Sequence, residues 1–316
     1  MLTIYSESDL EACGRLWEHF MPSEVLTDLW EARICFNRHF NRRLFFVVAE
    51  DDGKLVGFLP LSWIEENDSY GYFPGEVWDG KTWLEQNRIF ARDKEVLDSM
   101  FAWMKDEGIK YSLRYILPGA IPLSDISQVD EIGYLFHPKN FGFSMDGYYG
   151  TFNRKSIKSI KKEVENLYAR SLSFRFDETE DIEILVKMNI DRFGDKSYFA
   201  DSRFYNSFRD LVELVKEKGW LKVITVIIEN EIAAVDVGCL RDGVYTLFAG
   251  GTNADFPGVA KVINLYHMRQ ACEKQYEEVD FLCGDFSWKR IFRLEARPLY
   301  IISNIEEEKK CLVKAE

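Results

Sequence analysis

The chain has 316 residues, 47% of them hydrophobic, so it has enough apolar side chain for one large core or two medium ones. Its 53 acidic residues outnumber its 40 basic ones, and the net charge of −13 argues against a protein that coats DNA. The six cysteines lack C-x-x-C spacing and the four histidines are scattered, which predicts a reduced, cytoplasmic chain without a metal site. No run of about 18 apolar residues is present, so no membrane span is expected.

The first half of the chain, residues 1–150, is predicted to combine helices with a β-hairpin. Elements are expected over residues 6–20, 22–41, 44–64, 93–108 and 111–117. The hairpin is indicated by apolar runs on both sides of DDGK, a turn signal, and Ser6 or Ser8 is expected to cap the first helix. Mixed Pro, Gly, Ser and aromatic residues over 118–152 predict an irregular junction between two domains.

The second half, residues 151–316, is predicted to contain a three-stranded meander among helices. Helices are expected over residues 152–170, 180–193, 202–218 and 257–276, and strands over 173–176, 220–251 (the meander), 278–284 and 298–305. The alternation of strands and helices after the meander predicts a βαβ unit inside a mixed sheet. The first half repeats this order of elements without a repeat at the level of residues.

Four segments of the second half, in their order along the chain, resemble the Fem-like members of the Gcn5-related N-acetyltransferase (GNAT) family. The segments are RKSIKSIKK, GWLKVITVIIENEIAAVDVGCL, FAGGTNADFPGVAKVINLYHMRQACEK and VDFLCGDFSWKRIF. The resemblance covers residues 154 to about 297. It implies an α/β (α+β) protein of two tandem GNAT folds, each a mixed, mostly antiparallel sheet flanked by helices, with residues 1–150 as a divergent first copy.

The resemblance also implies an activity. The expected protein is a bacterial enzyme that transfers an acyl group from a thioester, usually acetyl-CoA or another acyl-CoA, to an amine or a hydroxyl. The expected acceptor is a small molecule, or a glycan or peptide precursor of peptidoglycan, polysaccharide or another part of the cell envelope. Two alternatives stay open: aminoacyl transfer from charged tRNA, and a catalytically degenerate protein that binds a peptide or a glycan. The sequence leaves the oligomeric state open.

The cofactor is expected at the loop and helix start that follow the two adjacent glycines. The residues assigned to it are Gly250, Gly251, Gly258, Val259, Ala260 and Lys261. Small residues such as Gly258 and Ala260 let backbone N–H groups approach a phosphate at a helix N-terminus. The wider family has Gln or Arg at the start of this loop, whereas this chain has Asp255, whose carboxylate repels a phosphate. Plain helix initiation by Pro257 is the alternative.

Three residues are candidates for catalysis: Asp236, Tyr245 and Asp285. Strand alternation places Asp236 beside Gly238 on one face, which favours a cleft with a carboxylate as general base; a structural hydrogen bond is the alternative. Asp285 follows a strand end, where α/β sheets bind ligands, although a turn residue would also fit there. Tyr245 is a possible substitute for the tyrosine that the family has at the position of Trp288.

The acceptor and the anionic carrier are assigned to two groups of residues. Trp288 and Lys289 are expected to wall and orient the acceptor. Lys155, Lys158 and Lys162 share one face of a predicted helix, which suits a CoA 3′-phosphate or a tRNA backbone. A merely solvated basic face is the alternative for these lysines.

The aromatic segment of residues 71–90 raises a separate hypothesis. Its Trp78 and Trp83, together with acidic, amide and arginine side chains, resemble the rim of a cleft that reads a sugar or a peptide. The alternative is that the two tryptophans are core or interface anchors.

Overall fold

The computed structural model describes residues 1–119, 126–284 and 287–305. The chain forms two compact units. Unit 1 takes its residues from Met1–Ile132, Arg203–Leu211 and Pro298–Glu316, and unit 2 from Gly133–Ser202 and Val212–Arg297. The predicted domains, 1–150 and 151–316, follow the order of the sequence, and they stay a prediction.

Strands and helices alternate through both halves of the chain, as the sequence predicts. The strands are β1 (Leu2–Glu7), β2 (Leu44–Asp51), β3 (Lys54–Ile64), β4 (Ser69–Tyr72), β5 (Phe90–Ala91), β6 (Ser112–Ile116), β7 (Gln128–Phe136), β8 (Ser173–Phe176), β9 (Leu221–Ile228), β10 (Glu231–Arg241), β11 (Val244–Thr252), β12 (Glu278–Asp280) and β13 (Glu295–Ser303). The α-helices are α1 (Leu10–Phe20), α2 (Trp30–Phe40), α3 (Lys94–Asp106), α4 (Met145–Tyr149), α5 (Arg154–Tyr168), α6 (Asp181–Phe193), α7 (Ser202–Glu217), α8 (Val259–Glu273) and α9 (Ser287–Ile291). The mixed α+β class, with mostly antiparallel sheets flanked by helices, is confirmed.

The main sheet of unit 1 has the order β1-β2-β3-β4, with β5 also paired to β3. Its neighbours run antiparallel. The predicted hairpin joins β2 to β3 through Asp52 (φ 49°) and Gly53 (φ 76°). Two successive residues with positive φ match the twist of the strands, so the DDGK signal is confirmed.

Aspartates cap helices α1 and α3 of unit 1. The Asp9 carboxylate accepts a hydrogen bond from the Ala12 N–H at 2.9 Å, and Asp93 does the same for Val96 at 2.9 Å. The expectation that Ser6 or Ser8 caps α1 is wrong, because Asp9 is the residue directly before the first helical position.

The sheet of unit 2 has the order β7-β12-β11-β10-β9-β8. Strands β9, β10 and β11 form the predicted antiparallel meander. Strand β12 then runs parallel to β11, as the predicted βαβ unit requires, with α8 as the connection between them. The irregular junction predicted over 118–152 is wrong in part, since β7 and α4 lie there. Only the last four residues of β7 are buried, so burial does not alternate along this strand.

Two helices cover opposite faces of the meander. Val235 and Asp236 are neighbours on β10, and they pair with Gly251 and Gly250 of β11. A methyl group added at Gly251 would lie 3.2 Å from Leu185, which places α6 on that face. Side chains of neighbouring strand residues point to opposite faces, so Asp236 faces the other helix, α8.

The described part of the chain contains no helix with the length and apolar character needed to cross a membrane.

The buried position of Leu59 generates a first prediction, on stability. Leu59 of β3 is fully buried, whereas Leu10, at the start of α1, is 50% exposed. Leu59→Ala should lower the free energy of unfolding by about 2–5 kcal/mol, because it removes packed methyl groups and leaves a cavity. Leu10→Ala should change it by less than about 0.5 kcal/mol. Denaturant unfolding measures both, and equal losses would contradict the assigned core.

Candidate functional site

A buried hydrogen bond joins the sheet of unit 2 to helix α8. The Oδ2 atom of Asp236 on β10 lies 2.8 Å from Nε2 of His267 on α8. Asp236 is 4% exposed and His267 is 3% exposed, so the pair is shielded from water. The structural hydrogen bond that the sequence left open for Asp236 is therefore present, and its partner is a histidine that the sequence did not single out.

Tyr245 completes this group. Its ring stacks on the imidazole of His267 with 4.9 Å between the centroids. The phenol is buried and makes no hydrogen bond with the described residues. Burial, and then the Asp236 carboxylate, raise the pKa of the Tyr245 phenol well above its usual value. The phenol therefore stays protonated and carries an O–H that is free to donate.

Two glycines make room for these side chains. A methyl group at Gly250 would lie 2.4 Å from Oδ1 of Asp236. A methyl group at Gly238 would lie 2.6 Å from the Tyr245 hydroxyl. The Gly250 carbonyl also accepts a hydrogen bond from Nδ2 of Asn189 on α6, at 3.0 Å. Packing therefore explains both adjacent glycines: a side chain at position 250 would meet the Asp236 carboxylate, and one at position 251 would meet α6.

Strands β11 and β12 part beside this group. They pair at three positions, Val244 with Glu278, Tyr245 with Val279 and Thr246 with Asp280. Strand β12 ends there, whereas β11 continues to Thr252. The pairing of β10 with β11 shifts between Val237 and Gly238, so β11 carries an extra residue at its centre. The second half of β11 therefore lacks β12 as a neighbour.

Helix α8 begins at Val259 after Gly258, whose φ of 93° is in the left-handed region. No side chain in the described ranges caps this N-terminus. Beside it, a methyl group at Gly258 would lie 3.7 Å from Leu167 of α5. Asp255 is exposed, and its N–H donates to Oδ1 of Asn253 at 2.9 Å. The carboxylate at the mouth of the predicted phosphate site therefore lies in solvent.

Helix α5 brings positive charge to the same region. Lys261 of α8 is ion-paired with Glu163 of α5, and this hydrogen bond lowers the pKa of the Glu163 carboxyl. Lys155, Lys158 and Lys162 are exposed and make no ion pair with the described residues. The three exposed lysines of α5 thus remain available to bind an anion, whereas the charge of Lys261 is already compensated by Glu163.

The residues predicted to hold the acceptor lie after β12. Lys289 is 1% exposed, and its ammonium donates to the carbonyls of Phe281, Leu282 and Cys283 at 2.9, 2.8 and 2.8 Å. Trp288 packs edge-on against Phe281, with 5.5 Å between the ring centroids. Lys289 therefore holds the backbone that follows β12. Asp285 lies outside the described residues.

His267 is the functional candidate that the sequence reading missed. The signal was a pair of polar residues, Asn264 and His267, three positions apart on a helix whose other buried residues are apolar; both are buried. Asp236 is likewise the one carboxylate in the buried stretch of β10, residues 233–239. Two isolated polar residues in apolar surroundings often satisfy each other across the core.

Residues 1–119, 126–284 and 287–305 hold no cluster of three or more His, Cys, Asp or Glu side chains that could bind a metal ion.

Comparison with known families gives one match. Residues 153–290 match the family described as acetyltransferase (GNAT) domain. No curated protein matches the chain significantly in sequence.

Solved structures of similar fold extend over nearly the whole chain. A conserved protein of unknown function from Bacteroides thetaiotaomicron is 12% identical, covers 95% of this chain and 99% of its own, and has a TM-score of 0.58. FemX is 10% identical, with 97% and 99% covered and a TM-score of 0.57. L-PGS from Bacillus licheniformis is 12% identical, with 90% and 96% covered and a TM-score of 0.54. At these identities the likeness concerns the fold.

The contact between Gly250 and Asp236 generates a second prediction. Gly250→Ala places a methyl group where Oδ1 of Asp236 lies, so the carboxylate must move and its bond to His267 is disturbed. The free energy of unfolding should fall by about 1–3 kcal/mol. Gly119→Ala is the matched control, since a methyl group there meets nothing within 4 Å. Denaturant titration of both variants measures the difference, and an unaffected Gly250→Ala protein would refute the close packing.

Proposed function

We propose that the protein is an acyl-CoA-dependent N- or O-acyltransferase, because residues 153–290 match the acetyltransferase (GNAT) domain family and the fold is similar to that of FemX. The proposed donor is acetyl-CoA. The proposed acceptor is an amine or a hydroxyl of a cell-envelope, peptidoglycan or polysaccharide precursor. The observation that supports the proposal most is the early parting of β11 and β12 beside the buried group Asp236, His267 and Tyr245.

The described residues fit a CoA donor in two respects. The half of β11 beyond Thr246 has backbone groups that β12 does not pair, and an extended carrier can hydrogen-bond to such groups. The start of α8 offers N–H groups and the positive end of the helix dipole to phosphates. Asp255 opposes this, but a solvated charge pair at about 4 Å is worth only about 1 kcal/mol in water. The exposed lysines of α5 supply the compensating charge.

The chemistry needs one proton acceptor and one proton donor. Bound acyl-CoA supplies the acyl group as a thioester. When the acceptor loses its proton, the pair Asp236 and His267 is the proposed base, because the carboxylate holds the imidazole in position by a hydrogen bond. The Tyr245 phenol stays protonated, and it lies one residue before the strands part. We assign it as the donor to the departing thiolate.

Asp236→Asn and Tyr245→Phe provide the third prediction. Both variants keep the size of the side chain, so acetyl-CoA should still raise the melting temperature as it does for the unchanged protein. Turnover should fall by about 100-fold or more, which is the usual contribution of a proton-transferring group. Turnover is measured as free thiol released from acetyl-CoA with a panel of amino sugars and amino acids as acceptors.

Glu231→Gln, at the exposed start of β10, is the control and should leave turnover unchanged. Full turnover in Asp236→Asn would remove this carboxylate from the mechanism. If millimolar acetyl-CoA fails to shift the melting temperature of the unchanged protein, the CoA proposal fails, and the degenerate binding protein becomes the better account.

A second candidate function is aminoacyl transfer from charged tRNA. The exposed face of Lys155, Lys158 and Lys162, whose ammonium groups form no ion pair with the described residues, favours it. A tRNA backbone releases counterions when lysines neutralise its phosphates, so its affinity depends steeply on salt.

Replacing the three α5 lysines by Gln gives the fourth prediction and separates the two donors. If the face binds an anionic carrier, the triple variant should lose affinity at low salt and much less at high salt. The control replaces three other exposed lysines, Lys54, Lys105 and Lys139, by Gln, which makes the same change in net charge. Affinity is measured for acetyl-CoA and for tRNA; loss for tRNA alone supports the second candidate, and loss for neither discards the basic face.

A further inference from the structure

Unit 1 contains a cavity of about 250 Å³ that the proposed acyl transfer does not use. It is partly open: Asn67 and Gly80 at its edge are exposed. Among its buried polar residues are Arg33, Glu76 and Asn87, which are 1%, 3% and 4% exposed. Residues 76–87 form much of its wall, so the aromatic segment that the sequence singled out contributes to a cavity through its polar side chains.

The buried charged groups of this cavity already form hydrogen bonds with other residues of the protein. Arg33 donates from Nε to the Thr27 carbonyl at 2.8 Å and from Nη1 to the Phe73 carbonyl at 3.1 Å. Oε1 of Glu76 accepts from the Thr82 hydroxyl at 2.7 Å. The same oxygen accepts two backbone N–H groups, from Trp83 and Leu84. Burial raises the pKa of the Glu76 carboxyl, and the positive charge of Arg33 opposes that rise.

A second pair of charges in the lining is also matched. Arg114 donates from Nε and Nη2 to the Asp130 carboxylate, with 3.0 and 2.8 Å to the nearer oxygens. The arrangement is the bidentate one that arginine and carboxylate prefer. Because the charged groups of the cavity already have partners, a charged ligand would leave its own charge uncompensated there, at a high desolvation cost.

Among the buried side-chain polar atoms of the described lining residues, one lacks a hydrogen-bond partner. Asn87 donates from Nδ2 to the Arg114 carbonyl at 2.8 Å. Its Oδ1 is buried and accepts no hydrogen bond from the described residues. An unsatisfied buried acceptor costs about 1–3 kcal/mol, so its persistence calls for an explanation. A ligand hydroxyl that donates to Oδ1 supplies one.

The remaining lining suits a ring that carries hydroxyl groups. Ser69 and Ser112 offer hydroxyls that can donate or accept, and Tyr72, Ile64 and Ile301 add apolar surface. Sugar rings combine these properties, since their faces carry C–H groups and their edges carry hydroxyls. The volume lies just below the range of about 300–1,000 Å³ that is usual for ligand pockets, which limits the ligand to roughly one ring.

We propose that the cavity of unit 1 binds an uncharged, hydroxyl-rich ligand of monosaccharide size, with Oδ1 of Asn87 as an acceptor for one of its hydroxyls. The inference goes beyond the proposed acyl transfer, because it concerns ligand binding in unit 1 alone. It can therefore fail while the proposed function stands, and the reverse also holds.

The test is calorimetric or NMR titration of the full chain with N-acetylglucosamine and with glucose, in the absence of CoA. Saturable binding with a Kd of about 1–10 mM is expected for at least one of them. Asn87→Ala should weaken that binding by about tenfold or more. Asn37→Ala is the matched control, since its Oδ1 is also buried and accepts no hydrogen bond within the described residues but lies outside the cavity lining, and it should leave the Kd unchanged.

Ser112→Leu is the second variant, in case Asn87→Ala does not fold, and it should abolish binding by filling the cavity. Glycine and acetate are titrated as charged probes of similar or smaller size. Three results would overturn the proposal: no saturation by either sugar at about 100 mM, which is about ten times the weakest Kd expected; tighter binding of glycine or acetate than of both sugars; or equal sugar affinity in the unchanged protein and in either cavity variant.

Discussion

The end of strand β12 after three residues is the constraint on which the proposed site depends. Lys289 provides a physical cause, because its buried ammonium collects the carbonyls of Phe281, Leu282 and Cys283. Successive carbonyls of a strand point to opposite sides, so three that meet one ammonium cannot belong to a continuing strand. Leu282, at φ 54°, marks the bend. The backbone therefore leaves the sheet at this point, and β11 continues without β12 beside it.

The hydrogen bond between Asp236 and His267 fixes the other side of the site. A carboxylate in an apolar core costs several kcal/mol unless it is hydrogen-bonded, and the imidazole on α8 meets that need. The same bond ties α8 to β10, and thereby holds the start of the helix near the open half of β11. Gly238 and Gly250 have no side chain, and they leave the space that the side chains of this arrangement require. A structural contact and a proposed proton acceptor are thus the same pair of residues.

Local signals in the sequence predict most of the fold. The hairpin at DDGK, the meander and the start of α8 follow from turn residues and periodicity, which act over a few positions. The partner of Asp236 lies 31 residues further along the chain, so the pair depends on how α8 packs on the sheet. Periodicity can mark Asp236 and His267 as unusual, but it does not reveal that they meet.

Because local patterns do not reveal contacts between distant residues, the sequence also gives an incomplete account of the aromatic segment, residues 71–90. The reading of Trp78 as an anchor agrees with its burial, at 3% exposure, and with its packing on Phe40 at 5.7 Å between ring centroids. The cavity beside that segment is built from polar residues far apart in sequence, such as Arg33 and Arg114, which no local pattern links. Lys289 shows the opposite case. A lysine after a strand suggests an exposed side chain that contacts a ligand, whereas the fold buries Lys289 at 1% exposure.

Amide hydrogen exchange with and without acetyl-CoA tests the central claim most directly. The account predicts that saturating acetyl-CoA slows exchange in two segments, residues 247–252 of β11 and the start of α8 at Gly258 and Ala260, because the carrier takes up backbone groups that β12 does not pair and N–H groups that donate to no carbonyl of the described residues. Protection should be absent from the paired positions 244–246, whose exchange is already limited by β12. Unchanged exchange in both segments, under conditions where acetyl-CoA is shown to bind, would contradict the account.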